Sequence, residues 1–277
     1  MEKQKNKAKG KLIIAWFLAV IITLAAAYYQ RVTGPTYERK ITSEINGKTY
    51  KFKLLRSSSS SSDCEIKIPV SDQNLQAYLV FRKFPTNEAW DTVSFIKTTG
   101  GMTAFLPKQP AAGKLEYFLL FRTGNETETL LKEEPNIIRF KGDVPAYVLI
   151  PHILFIFFAM MLSNLAGLMA AFKLDKARLY SLITFVLLLL GGMILGPIVQ
   201  KYAFGEFWTG VPFGWDLTDN KTLIAFIAWI IALIVNRRKF HPGYIIAAAL
   251  ITLIIFSIPH SMFGSQLNPT TGIVTQG

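Results

Sequence analysis

Few side chains in this 277-residue chain have the types and spacing that chemistry requires. Its histidines are His152, His241 and His260, and no two of them have the spacing of a metal site. Ser261 and Ser265 lie near His260, but neither has the glycine setting of a hydrolase nucleophile. No glycine-rich loop with a lysine offers a phosphate site. The residue pattern therefore favours a non-enzymatic role.

Aromatic and acidic side chains are concentrated in one stretch, residues 202–220. Its members are Phe204, Phe207, Trp208, Phe213 and Trp215, with the acids Glu206, Asp216 and Asp219. We expect so aromatic a loop to lie on a membrane surface or to fold back over helix ends. Asp216 and Asp219 precede an apolar run, where carboxylates can cap a helix N-terminus and meet its positive dipole end.

Apolar runs near the length of a bilayer crossing account for a hydrophobic content of 51% beside 17% charged residues. We predict five spans: Leu12–Tyr29, Tyr147–Phe172, Leu179–Val199, Thr222–Val235 with its flanks, and Tyr244–Ile258. The first run ends near three alanines, 25–27, so a cleaved signal peptide is an alternative. We favour a retained anchor, because the run is long enough to span.

The distribution of positive charge predicts how these spans are oriented. The net charge is +12, and most of it lies in the short stretches 1–11, 173–178 and 236–241. Basic residues beside spans mark the cytosolic side, so the charge does not indicate a nucleic-acid partner. We therefore predict an integral protein of the plasma (inner) membrane with a cytoplasmic N-terminus. The extracytoplasmic parts would be residues 30–145, the loop 200–221 and the tail 261–277.

Residues 30–145 have a sequence pattern typical of an all-β domain. Strands are predicted at Tyr37–Ile45, Lys48–Leu55, Glu65–Pro69, Gln76–Phe84, Thr92–Lys97, Met102–Leu106, Leu115–Arg122 and Asn136–Phe140. Asn46-Gly47 is a strong hairpin signal, and the run Ser57–Ser62 is predicted to be a flexible loop. So many short strands predict a β-sandwich. The segment resembles immunoglobulin-like or fibronectin type III modules in architecture, although Cys64 is the lone cysteine.

The predicted spans carry packing signals. Small residues recur at four-residue spacing, as Ser163, Gly167 and Ala171 on the second span and Gly192 and Gly196 on the third. Such spacing lets helices approach closely in lipid. Asn164 is the strongly polar side chain in mid-span, and an amide facing lipid is costly. We expect Asn164 to hydrogen-bond another helix or to face a cavity.

The aromatic loop resembles a segment of a known family. Trp208, Trp215 and Asp216, followed by an apolar helix with Trp229, are similar to the tryptophan-rich WWD segment of haem-handling cytochrome c maturation proteins. In that family an external Trp-rich loop cradles haem, and external histidines on flanking helices are axial ligands. The resemblance implies a haem cradle formed by Trp208, Trp215 and Asp216, with His152 and His260 as ligands.

Together these patterns predict a membrane α-helical bundle of five spans, one plus four, with an inserted extracytoplasmic β-sandwich. The predicted parts are a basic tail and first span (1–29), the β-sandwich (30–145), a four-helix domain (146–260) and a tail (261–277). We expect the β-sandwich to dock another membrane or envelope protein, in an accessory or assembly role beside the lipid bilayer. The alternatives are binding of haem or another redox cofactor at the outer face, and a small transporter subunit that depends on Asn164.

Overall fold

The computed structural model describes residues 2–72, 74–259 and 265–276. The chain divides into two compact units. The membrane unit comprises Met1–Gly34, Val144–Lys201 and Glu206–Gly264, and the β unit comprises Pro35–Asp143, Tyr202–Gly205 and Ser265–Gly277. Each unit has a hydrophobic core of its own.

The membrane unit is helical, as the apolar runs predict. Its helices are α1 (Glu2–Thr33), α2 (Ala146–Ala171), α3 (Ala177–Leu188), α4 (Gly196–Phe204), α5 (Leu217–Val235) and α6 (Pro242–Ser257). A π-helical segment, Leu189–Leu195, joins α3 to α4. Among the described residues, the helices long and apolar enough to cross a membrane are Asn6–Thr33, Ala146–Ala171, Ala177–Phe204 and Leu217–Val235. Because α6 has only 16 residues, the five-span count stays a prediction.

Glycines bring the helices of this unit close together. A Cβ atom at Gly167 of α2 would lie 2.7 Å from the Cβ of Ala249 in α6. A Cβ at Gly192 would lie 2.8 Å from the Cγ2 of Thr222 in α5. The predicted close packing is confirmed at these two positions, where only a hydrogen atom fits. Ala171, the last small residue of its series, is exposed instead.

Buried polar side chains of the bundle pair across helices. Asn164 of α2 donates through Nδ2 to the Oγ1 of Thr23 in α1, at 3.0 Å. Trp229 of α5 donates through Nε1 to the Oγ1 of Thr252 in α6, at 2.9 Å. The expectation that Asn164 faces another helix is confirmed. An interhelical bond of this kind contributes about 1 kcal/mol in a membrane protein.

Replacing Gly167 by leucine should destabilise the membrane unit by about 1–3 kcal/mol, because the added side chain must push α2 and α6 apart. The matched control is Ala171→Leu, one helical turn further along the same helix, where the side chain is exposed. Thermal unfolding of the purified protein in detergent measures the difference. Equal melting temperatures for the two variants would show that the Gly167 contact does not matter.

The β unit contains the strands in short, mostly antiparallel pairs. They are β1 (Arg39–Ile45), β2 (Lys48–Leu54), β3 (Ser57–Ser59), β4 (Cys64–Ile68), β5 (Gln76–Lys83), β6 (Asp91–Ser94), β7 (Ile96–Thr98), β8 (Gly101–Leu106), β9 (Lys114–Thr123), β10 (Glu126–Leu130), β11 (Asn136–Lys141), β12 (Ser265–Leu267) and β13 (Val274–Gln276). A six-stranded sheet has the order β3-β11-β9-β5-β6, with β10 also pairing with β9. A three-stranded sheet has the order β4-β8-β7, and β1-β2 and β12-β13 are hairpins.

One core unites most of these strands. Alternate side chains of β1, β2, β4, β5, β8, β9 and β11 enter it, with Phe52, Tyr117 and Phe140 among the largest. The hairpin predicted from Asn46-Gly47 is confirmed: both residues have positive φ, and Ile45 pairs with Lys48. Between Arg39 and Lys141 the regular elements are thus all strands, while helix α1 continues to Thr33 and the β-sandwich arrangement stays a prediction.

The serine run is the main correction to the predicted strands. Ser57–Ser59 was expected in a flexible loop but forms β3, which pairs in parallel with β11. The Oγ of Ser59 also donates to the Oδ1 of Asp143, at 2.7 Å. Backbone pairing with a neighbouring strand therefore outweighs a composition typical of linkers. The predicted strand Thr92–Lys97 is likewise divided between β6 and β7, which belong to different sheets.

Candidate functional site

The aromatic loop between α4 and α5 ends in a helix cap. Asp216 is the N-cap residue of α5, and its Oδ1 accepts hydrogen bonds from the backbone N–H groups of Thr218 (2.8 Å) and Asp219 (3.3 Å). The side chain is only 3% exposed. Capping by Asp216, predicted from the sequence, is confirmed. A buried carboxylate at this position also meets the positive end of the helix dipole.

A second carboxylate folds the loop back over the start of α5. The Oδ2 of Asp219 accepts from the backbone N–H groups of Thr209 (2.6 Å) and Gly210 (3.1 Å), and from the Thr209 hydroxyl (3.3 Å). The neighbouring Asn220 accepts from the N–H of Val211 through Oδ1, at 2.7 Å. A Cβ at Gly210 would lie 2.7 Å from the Cβ of Asp219, so glycine is required there. These bonds fix the loop backbone.

The aromatic side chains of the loop differ in exposure. Trp208 is half-buried, and its Nε1 donates to the Val211 carbonyl at 3.1 Å. Phe213 and Trp215 are both 81% exposed. Asp219 thus fixes the loop backbone through its hydrogen bonds, and the rings of Phe213 and Trp215 on that loop are left exposed. Exposed aromatic faces of this size are unusual away from membrane interfaces and binding sites.

His152 lies in the second turn of α2 and faces the π-helical segment. Its Nδ1 is 2.9 Å from the backbone oxygen of Gly191. A carbonyl oxygen can only accept, so Nδ1 carries the proton and donates. The neutral ring then has its lone pair on Nε2. Among the residues that the structure describes, none hydrogen-bonds that Nε2 atom.

The π-helical segment that faces His152 is a further reason to consider this histidine as part of a functional site. Such turns are rare and are found frequently at functional sites. Gly191 allows the close approach, because a Cβ there would lie 2.7 Å from the Cβ of Phe155 in α2. Gly196, at the start of α4, leaves its own Cβ position 3.9 Å from the Cε1 of His152. The histidine therefore lies against a stretch of helix in which Gly191 and Gly196 leave room for its ring.

The residues implied by the family resemblance are brought together only in part. Trp208 and Asp216 belong to one hydrogen-bonded loop, because the N–H of Asp216 donates to the Thr209 carbonyl at 3.1 Å. Within the described part of the chain, no hydrogen bond or ring contact joins His152 to Trp208 or Trp215. His260 lies outside the described residues. Nor do the described residues contain a group of three His, Cys, Asp or Glu able to hold a metal ion.

One buried charge near the site was missed by the sequence analysis. Lys221, the fifth residue of α5, is 2% exposed, and its Nζ donates to the carbonyl of Ile258, the C-cap residue of α6, at 2.7 Å. Gln30 of α1 donates to the carbonyl of Phe256 at 2.6 Å. An ammonium meets the negative end of a helix dipole favourably. The available signal was a lysine at the head of an apolar helix, where a charge is expensive unless it is partnered.

Comparisons with known proteins do not add to this geometry. No protein-family model, no curated protein and no solved structure matches the chain.

Proposed function

We propose that this protein binds haem, or a related planar metal cofactor, at the aromatic loop, with His152 as an axial ligand. The observation that carries the proposal is the hydrogen bond from His152 Nδ1 to the Gly191 oxygen. Histidines that bind metals almost always donate their other ring N–H to a carbonyl or carboxylate, which fixes the tautomer and the ring orientation. A neutral imidazole with an available lone pair is the protein ligand of many haem irons.

The aromatic loop supports a planar ligand in particular. Phe213 and Trp215 offer exposed rings on a backbone fixed by Asp216 and Asp219. Flat apolar ligands are held mainly by such aromatic surfaces, with a few polar groups to orient them. Trp208 and Trp215 would line the cofactor, and Asp216 would hold the loop from inside rather than touch the ligand. His260 is the candidate second ligand by the family resemblance alone.

The proposed role is one of binding or handling, in an accessory protein of the membrane. Haem would supply a redox-active iron, and the protein would supply an imidazole and an aromatic surface. We propose further that this site faces away from the cytosol, since the basic stretches 173–178 and 236–241 belong to the opposite ends of the spans. The inner-membrane location stays part of the same proposal.

The other predicted functions receive less support from the side chains. Docking of a partner by the β unit stays a prediction, and the exposed apolar pair on its three-stranded sheet, Ile96 and Phe105, is small for a docking surface. A transporter role for Asn164 is also a prediction, but its amide donates to Thr23 inside the bundle. A cofactor site therefore accounts for more of the observed geometry.

The proposal is tested on the full-length protein purified in mild detergent. Stepwise addition of haem should produce a sharp Soret band that saturates at a fixed haem-to-protein ratio. Free haem in the same micelles is the control, because detergent alone also shifts its spectrum. A protein that gives only the micelle spectrum would rule out the proposed site.

A further inference from the structure

One arginine of the β unit has no partner for its side-chain charge. Arg56 joins β2 to β3, and its carbonyl accepts from the backbone N–H of Arg139 at 3.1 Å, so its backbone is held in place. The side chain is only partly exposed, and its Nε is buried without a hydrogen-bond partner. Among the described residues, none accepts from this guanidinium and no carboxylate pairs with it. Buried polar groups are nearly always hydrogen-bonded, so this exception calls for an explanation.

The residue before Arg56 is fixed by two buried side chains. The carbonyl of Leu55 accepts from the hydroxyl of Tyr117 and from the Nδ2 of Asn136, both at 2.9 Å. Tyr117 and Asn136 are themselves buried. The guanidinium of Arg56 is therefore carried by a rigid backbone, which cannot shift to bring it to an acid of the same chain.

A second arginine in the same cluster shows what kind of partner is missing. Arg39 begins β1 opposite Leu54, so it lies at the end of the hairpin from which Arg56 follows. It donates through one Nη to the Oε2 of Glu134, at 3.0 Å, and through the other to the Glu134 carbonyl, at 3.3 Å. The side chain of Glu134 is 82% exposed, so this glutamate meets Arg39 from the solvent. In the described part of the chain, no such carboxylate meets Arg56.

The electrostatics of Arg56 agree with this geometry. Burial, followed by the neighbouring charge of Arg39, lowers the pKa of Arg56 below its ordinary value, while Glu134 and Tyr117 act in the opposite direction. The group nevertheless stays charged, because arginine is not deprotonated in proteins. Two guanidinium groups thus face one carboxylate. A further carboxylate, bound through both of its oxygens, would supply the charge and the acceptors that Arg56 lacks.

We propose that Arg56, beside Arg39, is a docking site for a carboxylate on an acidic segment of a partner protein. The pairing of Glu134 with Arg39 shows within this chain how a glutamate side chain binds at this cluster. A protein is favoured over a free anion because Leu55, next to Arg56, is 38% exposed and offers apolar contact. Arginine is also enriched at the energetic centres of protein interfaces. The proposal is independent of the cofactor at His152.

The probe is a fluorescent peptide of alternating glutamate and glycine, titrated with the full-length protein in non-ionic detergent and followed by fluorescence anisotropy. Arg56→Gln should weaken binding about tenfold through the loss of charge-assisted hydrogen bonds. Arg56→Lys should lose part of the affinity, because an ammonium lacks the planar fork. The matched control is Lys53→Gln, at an exposed lysine of β2, which should stay within about twofold of the wild type. Equal competition by free glutamate at the same carboxylate concentration would indicate a small anion and overturn the proposed partner.

Glu134 supplies a second test of the same site. Glu134→Gln releases the guanidinium of Arg39 and should tighten peptide binding, whereas Glu133→Gln, at the exposed acid beside it, should not. Arg56→Gln should melt no lower than the wild type, because the guanidinium it removes has no partner. The proposal is overturned if the wild type does not bind the peptide or if Arg56→Gln and Lys53→Gln bind it equally. It is also overturned if the two glutamate variants behave alike, or if Arg56→Gln lowers the melting temperature, which would make Arg56 a structural residue.

Discussion

Replacing His152 by alanine is expected to lower the affinity for haem by more than about 100-fold, with loss of the Soret band at micromolar protein. The physical reason is the loss of the nitrogen that would bind iron. At metal sites, removing a residue that only hydrogen-bonds a ligand already lowers metal affinity by roughly 10–100-fold. Because His152 makes a single hydrogen bond among the described residues, to the Gly191 oxygen, the variant should still fold. The measurement is a haem titration followed by absorbance.

The matched control is His241→Ala. His241 precedes α6, is exposed, and bonds Asn236 only through its backbone N–H and carbonyl. This variant should bind haem as the wild type does. Equal losses in both variants would point to a general effect of removing histidine, and retained binding in His152→Ala would exclude His152 as the ligand.

The second large effect is expected at Asp219, where alanine should destabilise the membrane unit by about 2–5 kcal/mol. The Oδ2 atom accepts from two backbone N–H groups and one hydroxyl of the loop. Each buried donor left without a partner costs about 1–3 kcal/mol. The loop should loosen, and haem affinity should fall with it, because the exposed rings of Phe213 and Trp215 lose their fixed support.

Thermal unfolding in detergent measures this change, with Glu206→Ala as the control. Glu206 is an exposed acid of the same loop, so its removal deletes one negative charge without orphaning the Thr209 and Gly210 donors. We expect a clear fall in melting temperature for Asp219→Ala alone. A melting temperature within error of the Glu206→Ala value would mean that the loop is not held by Asp219.

Local patterns predicted the parts of this fold that depend on local physics. The cap at Asp216 follows from an acid placed before an apolar run, and the hairpin at Asn46-Gly47 follows from residues that tolerate positive φ. The partner class of Asn164 could be predicted because lipid leaves an amide few alternatives. Its particular partner, Thr23, could not, since the two residues are distant in sequence.

Features that depend on tertiary pairing were missed. Ser57–Ser59 has the composition of a linker, and only its register against Arg139–Lys141 makes it a strand. β10, a run of glutamates and threonines, carries no hydrophobic alternation and is held by pairing with β9. Neither strand contributes the periodic apolar residues on which sequence prediction depends.

In the candidate site, too, local features could be predicted from the sequence and tertiary contacts could not. Its chemically capable residues, His152 and the tryptophans, could be named from the sequence because their types are scarce and their stretch is unusually aromatic. The hydrogen bond that fixes the tautomer of His152 could not be predicted, since its acceptor is a backbone carbonyl in a π-helical segment that is distant in sequence. The role of Lys221 also depends on a distant carbonyl, that of Ile258.

Chemical rescue tests the identity of the proposed ligand most directly. In a His152→Gly variant the side chain is absent, and free imidazole can occupy the space it leaves beside Gly191. We predict that the variant fails to give the wild-type Soret spectrum with haem alone and recovers it when millimolar imidazole is added. A variant that gives the wild-type spectrum without imidazole would contradict the assignment of His152 as the iron ligand.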